Sequence, residues 1–311
     1  MRNIYCIGEM LIDMVAESSL DKARNFVKNP GGAPANVAVQ IAKLGGKVAF
    51  IGNLGDDSFG YYLANVLNEF NIETTYISHS GKTTLAFVGI DNNGERDFEF
   101  YRGSDGKYQI QDSILDKLDD TDIVHFGSAT ALLGDELYES YFKLLEEAEQ
   151  RQSLISFDPN FREDLICHIS IEQYIQDCRK FISCANFVKL SEVEAQLISS
   201  EDDIELAIIN LSQITNAVIV ITLGAGGSLL VQSSSTTHLP TRSVNQIDST
   251  GAGDAFVGAM LYQLANEADK TFEQMVLFAN FVGGYTCQKF GAILGMPTMS
   301  QLMRFIDELL V

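Results

Sequence analysis

AVIVITLG, residues 217–224, is a run of apolar, largely β-branched side chains that ends at a glycine. Such a run reads as a strand buried on both faces. The same pattern recurs outward from it as NFVKLS (186–191), SLISFD (153–158), DIVHFG (122–127), KVAFIG (47–52) and NIYCIG (3–8), each closing on a polar residue or glycine. Amphipathic segments lie between the runs. After Asp56, a candidate helix cap, Phe59, Leu63, Val66, Leu67 and Phe70 fall on one helical stripe. Strand–helix alternation of this kind predicts a doubly wound α/β sheet with helices on both faces and ligands beyond the C-terminal strand ends.

One stretch breaks the rhythm. TTLAFVGI (83–90) and ERDFEFY (95–101) flank DNNG (91–94), with Phe98 and Phe100 alternating against Asp97 and Glu99, which predicts a β-hairpin with one polar face. Apolar sheet inserted in an α/β body needs a cover, so this piece is expected to be a lid over a cleft and a contact between two subunits. From Val244 onward the patterns are helical, at 256–264, 272–290 and 302–310. No internal repeat or low-complexity linker separates domains. The expectation is one domain over 1–311, with a lid formed by about 12–30 and 74–105.

Composition bounds the partners. Of 311 residues, 46% are apolar and 20% charged, which suits a folded globular chain and not a disordered or fibrous one. The net charge of −21 repels phosphate backbones and anionic lipid, so nucleic acid and membrane surfaces are not expected partners. A small anionic ligand is still compatible, because backbone N–H groups and single cations set the potential inside a cleft. Five scattered cysteines without a CxxC pair argue against a disulfide framework or zinc knuckle. The start of the chain lacks the zones of a signal peptide, and the longest apolar run, Ala217 to Ile221, is far short of a membrane span, so a cytoplasmic protein is expected.

Two tempting motifs fail. SGKTT (80–84) needs a glycine at 76 to be a P-loop and has Tyr76. GAGGSL (224–229) and GAGDAF (251–256) lack the third glycine of a dinucleotide fingerprint, and the first strand runs into CIGEMLID instead. DSTGAGDAFVGA (248–259) is more informative, because small residues run directly into a helix. Gly251, Ala252 and Gly253 bring backbone N–H groups together at the positive end of that helix, suiting a transferring phosphoryl group, and Asp254 in the first turn is placed to accept a hydroxyl proton. An ordinary capped helix start explains GAGD equally well. In PGGAPANVAVQIAKLGG (30–46), Gly31 and Gly32 precede Pro34 at a helix start, leaving the Asn36 amide near the entrance to bind hydroxyls.

Together, in this order, the GG…N and GAGD regions resemble the two signature regions of the ribokinase-like (PfkB) carbohydrate kinases, and the resemblance runs from GEMLIDM (8–14) to GAILGMPT (291–298). FYRGSD (100–105), DPNFR (158–162), KLSEVE (189–194) and TLGAGG (222–227) are most similar to the bacterial fructokinase branch. The resemblance implies a three-layer α/β/α fold with a mostly parallel central sheet and a small β-sheet lid. It implies Asp254 as catalytic base, with Gly251, Ala252 and Gly253 as an anion hole. Sugar contacts are implied for Asp13, Gly31, Gly32, Asn36 and Arg162, and for Tyr101 and Arg102 on the lid. On the nucleotide side it implies Lys189, Thr222, Gly224, Gly227, Gly253 and Asn280. Glu194 is implied to hold Mg²⁺ through water, and Asp248, Thr250 and Gly291 to hold a monovalent cation, K⁺. The sequence departs from the family's pattern at Ser191, where an asparagine is common, at Ser249 for threonine, and at Gly295-Met296 for Ala-Leu.

The activity so implied is ATP-dependent phosphorylation of D-fructose to fructose 6-phosphate, and the uncovered hairpin face separately predicts a homodimer through the lid. A 2-keto-3-deoxygluconate kinase is the alternative within the same chemistry, since Arg102 or Arg162 suits a carboxylate. A non-catalytic sugar or nucleotide-binding regulator would be marked by a broken GAGD, which is whole here. An NAD-dependent dehydrogenase would need the missing glycine fingerprint.

Overall fold

The computed structural model describes residues 2–90, 96–166, 169–233, 235–267 and 269–310. The DNNG turn and Cys167 lie outside the described residues. Along the chain run β1 (Ile4–Ile7), β2 (Leu11–Val15), β3 (Val27–Gly31), α1 (Ala33–Lys43), β4 (Val48–Leu54), α2 (Ser58–Glu69), β5 (Glu73–His79), β6 (Leu85–Ile90) and β7 (Arg96–Tyr101). These are followed by α3 (Asp112–Leu115), β8 (Ile123–Phe126), α4 (Asp135–Gln150), β9 (Leu154–Phe157), α5 (Ile171–Cys184), β10 (Phe187–Ser191), α6 (Glu192–Ser199) and α7 (Ile204–Ile214). The last third holds β11 (Val218–Thr222), β12 (Ser228–Gln232), β13 (Ser235–Leu239), α8 (Ala252–Asn266), α9 (Phe272–Thr286), α10 (Ala292–Gly295) and α11 (Met299–Leu310).

Among the described residues, nine strands form one sheet in the order β13-β12-β11-β10-β9-β8-β1-β4-β5. From β11 to β5 every pairing is parallel, and β12 and β13 add an antiparallel edge. The strand order turns back between β1 and β8, which places a cleft beyond the ends of those two strands. Alternation along β1 shows why the sheet needs helices on both sides: Ile4 and Cys6 join the core under α1, α8 and α9, while Tyr5 and Ile7 join the core under α4 and α5. All four residues of β1 and all seven of β4 are buried. No helix among the described residues is long and apolar enough to cross a membrane.

A separate four-stranded sheet, β3-β2-β6-β7, stands apart from the large one. Residues 74–79, expected within the lid, belong to β5 at the edge of the large sheet, where β5 pairs with β4. The stripe after Asp56 is α2 as expected, but its cap is Asp57, whose Oδ1 accepts the N–H groups of Phe59 and Gly60. Asp56 instead accepts the Tyr61 hydroxyl at 2.7 Å. The hairpin face that carries Glu99 is mixed rather than polar, since Leu85, Phe87 and Tyr101 share it. Cross-strand pairing sets Ile12 beside Leu85 and Leu85 beside Tyr101, so β6 supplies apolar side chains to both faces.

Candidate active site

The turn before α8 is set by Gly251, which has a left-handed backbone (φ 77°) and lies so close to Ala292 of α10 that a side chain would collide. It delivers Asp254 into the first turn of α8, 8% exposed. Gly258, one turn on, lets α8 press on α1, since a Cβ there would stand 2.7 Å from Gln40 Cβ. That close approach brings Asn36 of α1 to Asp254, and Asn36 Nδ2 donates to Asp254 Oδ2 at 2.8 Å. The start of α1 is equally constrained, because Gly32 (φ 108°) has Glu9 O within 2.5 Å of where a Cβ would be. The simple helix-cap explanation of GAGD therefore does not account for Asp254, whose carboxylate is held from another helix. Asn36 Oδ1 is buried and has no hydrogen-bond partner, an acceptor suited to a ligand hydroxyl.

Charged groups from other strand ends surround this pair. Lys189 of β10 is buried, bridges to Asp158 after β9 at 3.3 Å, and lies beside Gly253, 3.3 Å from where a Cβ would sit. Burial raises the Asp158 carboxyl against the pull of Lys189. Lys189 is itself held above its ordinary value: burial works against the charge, and Asp158, Glu194 and Asp254 outweigh it. Burial also raises Asp254, while the Asn36 hydrogen bond and the charges of Arg162 and Lys189 pull it down. Asp13 on β2 is pushed up to about 7 by burial, with Arg162 lowering and Asp254 raising it. Four carboxylates, a positioned amide and two cations thus act on one another around a glycine-started helix, an arrangement that can remove a hydroxyl proton beside an anion.

Comparison with known proteins decides the family. Residues 1–299 match the pfkB family carbohydrate kinase. The chain is 35% identical to fructokinase-1 of Oryza sativa subsp. japonica over 318 aligned positions, covering 98% of each protein. A fructokinase from Xylella fastidiosa with bound ATP superposes with a TM-score of 0.87 at 32% identity, covering 99% of each chain. A double mutant of the fructokinase from Vibrio cholerae O395, with fructose, ADP and potassium bound, superposes at 0.86 with 28% identity over 98% of each chain. This chain belongs to the PfkB family of carbohydrate kinases. It is a sugar kinase, transferring phosphate to a hydroxyl.

Other expected site residues of this kinase are placed differently from one another. Gly31 sits against Asp13, close enough that a side chain there would strike its carboxylate. Arg162 is exposed, its Nη1 donating to Phe161 O at 2.9 Å, and its charge acts on both Asp13 and Asp254. Tyr101 is not with them. Pairing of Asp13 with Ala86 and of Ala86 with Phe100 puts Phe100 on the Asp13 face and Tyr101 on the opposite one. There it donates to Glu99 at 2.7 Å and lines a cavity of about 690 Å³ with Phe26 and Phe87. Arg102 is also engaged elsewhere: Nε meets Asp105 at 3.4 Å, Nη1 meets Asp135 at 3.3 Å and Nη2 donates to Thr130 O at 2.9 Å.

On the nucleotide side, Thr222 Oγ1 donates to Leu190 O at 3.3 Å, and Gly224 and Gly227 (φ 56° and 89°) bracket the loop that follows. Asn280 is a fastener rather than an open group, accepting Ser228 Oγ at 2.6 Å and donating to Leu239 O at 3.2 Å. Glu194 is buried at the third position of α6 in a capping box with Ser191. Its Oε2 accepts Ser191 N and Oγ at 2.6 and 2.8 Å, and its Oε1 accepts Phe161 N at 2.8 Å. Burial acts to raise Glu194, but Lys189 and these bonds outweigh it and hold it below its ordinary value. Asp248 accepts Thr250 N and Oγ1 through Oδ1 and Gly291 N through Oδ2 at 2.9 Å, joining the two loops expected to share an ion. Glu9, Asp105 and Asp158, none of them among the residues expected above, are buried as well. Their signal in sequence is a carboxylate within a few residues of a strand end, after Ile7-Gly8 for Glu9, after Phe157 for Asp158 and after Gly103-Ser104 for Asp105.

Proposed function

We propose that this kinase transfers the γ-phosphoryl of ATP to D-fructose, giving fructose 6-phosphate. The observation that carries this reading is the buried Asp254 carboxylate, held through one oxygen by Asn36 at 2.8 Å, at the glycine-started end of α8. Asp254 takes the proton of the attacking hydroxyl. The amides of Gly251, Ala252 and Gly253 face the transferring group, and Asn36 Oδ1 and Asp13 receive sugar hydroxyls. Positioning and charge neutralisation supply most of the catalysis in such transfers. The ATP and fructose complexes of the two bacterial relatives support the choice of substrates. The ties of Arg102 to Asp105, Asp135 and Thr130 take up one of the two cations that a sugar carboxylate could use, leaving Arg162 alone for it, and to that extent favour a neutral hexose over 2-keto-3-deoxygluconate.

Among the described residues no group of three or more His, Cys, Asp or Glu is placed to hold a metal ion by itself. Mg²⁺ still fits, since it characteristically keeps waters and takes only one or two carboxylates beside substrate phosphates. Asp158 Oδ2 is buried with only the Lys189 ammonium beside it, at 3.3 Å, and with Glu194 it would face the hydrated ion. Bound Mg²⁺ would supply charge neutralisation on the phosphate oxygens. The Asp248–Gly291 junction suits a monovalent cation such as K⁺ beside the cradle. The small sheet is the lid, closing over sugar with its Asp13 and Phe100 face and pairing with a second subunit. A panel of sugars with ATP and Mg²⁺, read by ADP release, tests the function: fructose gives the highest kcat/KM, and a higher value for 2-keto-3-deoxygluconate, or no ADP release above background with any sugar, overturns it.

A further inference from the structure

A line of buried carboxylates and hydroxyls runs from the start of α1 to the root of the small sheet. At one end Glu9, just beyond β1, accepts Ala33 N–H at 2.9 Å and Ala129 N–H at 3.4 Å through Oε1, and the Ser128 hydroxyl through Oε2. Ser128 Oγ already accepts N–H groups from Thr130 and Ala131 at 3.2 and 2.9 Å, so its own proton is committed to Glu9. Thr130 therefore joins the two halves through its own backbone and side chain, its N–H donating to Ser128 Oγ and its hydroxyl donating to Asp105 Oδ2 at 2.7 Å. Asp105 Oδ1 accepts the Thr84 hydroxyl, and Thr84 Oγ1 in turn accepts Gly103 N–H at 2.9 Å. Glu9, Ser128, Thr130, Asp105 and Thr84 are each 3% exposed or less.

The two ends of this line are the two places that sugar binding involves. Ala33 opens α1 one turn before Asn36. Thr84 immediately precedes β6, and Arg102 and Gly103 immediately follow β7, so Asp105 clasps both strands of the hairpin where they leave the body of the protein. A network of buried polar groups has few arrangements in which every member is satisfied, because each unpaired group is costly. A shift at one end therefore has to be accommodated at the other.

We propose that Glu9 and Asp105 are positioning residues of one buried polar link, joined through Ser128 and Thr130, that sets the root of the lid against the helix start carrying Asn36. This rests on the lid and sugar assignments above. Sugar held by Asn36 and closure of the lid then favour each other, since both select the same arrangement of the link.

Thr130→Val removes the middle hydroxyl while keeping the side-chain shape, and Thr84→Val removes the lid-end hydroxyl. Amide exchange of the sugar-free protein read by NMR, and separate affinities for fructose and ATP, test the link. Each variant is expected to speed exchange at Ala33 and to raise the fructose Kd by roughly tenfold, with ATP affinity unchanged. The double variant is expected to be no worse than either single one, because one cut already breaks the link. Unchanged exchange at Ala33 in Thr84→Val, additive effects in the double variant, or a parallel loss of fructose and ATP affinity with a lowered Tm refutes it. If the wild-type protein does not bind fructose, the substrate assignment fails, and the exchange measurement still decides for or against the link.

Discussion

The floor of the proposed sugar site and the small sheet are built in opposite ways. On the floor, Asn36, Lys189, Asp158, Glu194 and Asp254 are all buried, and their hydrogen bonds and ion pairs join separate strand ends and helices, as between Asn36 and Asp254. In the small sheet, Val27 is 62% exposed, Tyr101 56% and Phe98 36%. Chemistry is placed where packing allows a single arrangement, as electrostatic preorganisation requires. The proposed closure over sugar would fall to the part whose apolar surface is incompletely covered.

The contrast is broken most severely at Lys189. Lys189→Met leaves buried Asp158 and Glu194 without their cation and is expected to cost about 3–5 kcal/mol of stability in denaturant unfolding. A loss below about 1 kcal/mol would mean that the floor tolerates an unpaired charge and is not rigid in the sense argued. Asn36→Ala comes next. It removes the donor to Asp254 and is expected to cost about 1–3 kcal/mol, read as a sugar KM raised roughly 5- to 150-fold with much less change for ATP. Equal rises in the two KM values would assign Asn36 to the fold instead.

Asp13 sits where floor and lid meet, and its effect depends on pH. Burial carries the folded carboxyl up to about 7 from an ordinary value of 3.8, Arg162 opposing and Asp254 adding to the rise. Between those values the native state keeps a proton that the unfolded chain releases, so this residue's contribution to stability falls as pH rises through the window. Asp13→Asn lacks that loss, and its Tm advantage over wild type is expected to grow from about pH 4 to about pH 7 and then level off. A Tm difference that is constant across this window contradicts the assignment. The smallest effect is expected in the lid, where Phe98→Asp changes stability by roughly 0.5 kcal/mol or less while raising the sugar KM. A large loss of stability there would show that the small sheet is as tightly built as the floor.

The central strands were legible because parallel strands buried on both faces, such as AVIVITLG, are continuous apolar runs. The β12–β13 edge was not, because Ser235–His238 is polar and exposed. Asp254 and Asn36 could be picked out because glycine turns and a helix start leave marks in sequence, but their hydrogen bond depends on Gly258 letting two helices close together. Tyr101 was misplaced because face is decided by register, Ala86 opposite Phe100, which adjacent letters do not encode. Arg102 is expected at the sugar, and its partners Asp105, Thr130 and Asp135 are not visible in the sequence because only the fold brings them to it. For Glu194 the letters do not show the capping box with Ser191 or its burial, which the fold supplies by bringing Phe161 N–H and Lys189 to it.

Asp254 carries the proposed proton transfer without being needed to hold either substrate, so turnover and binding should separate when it is replaced. In Asp254→Asn, the Kd values for fructose and ATP, measured by calorimetry, are expected to stay within about threefold of wild type, less than about 0.7 kcal/mol. Steady-state ADP release is expected to fall by roughly 10²–10⁴. If the folded, sugar-binding variant retains more than about a tenth of wild-type turnover, well above that range, Asp254 is not the base.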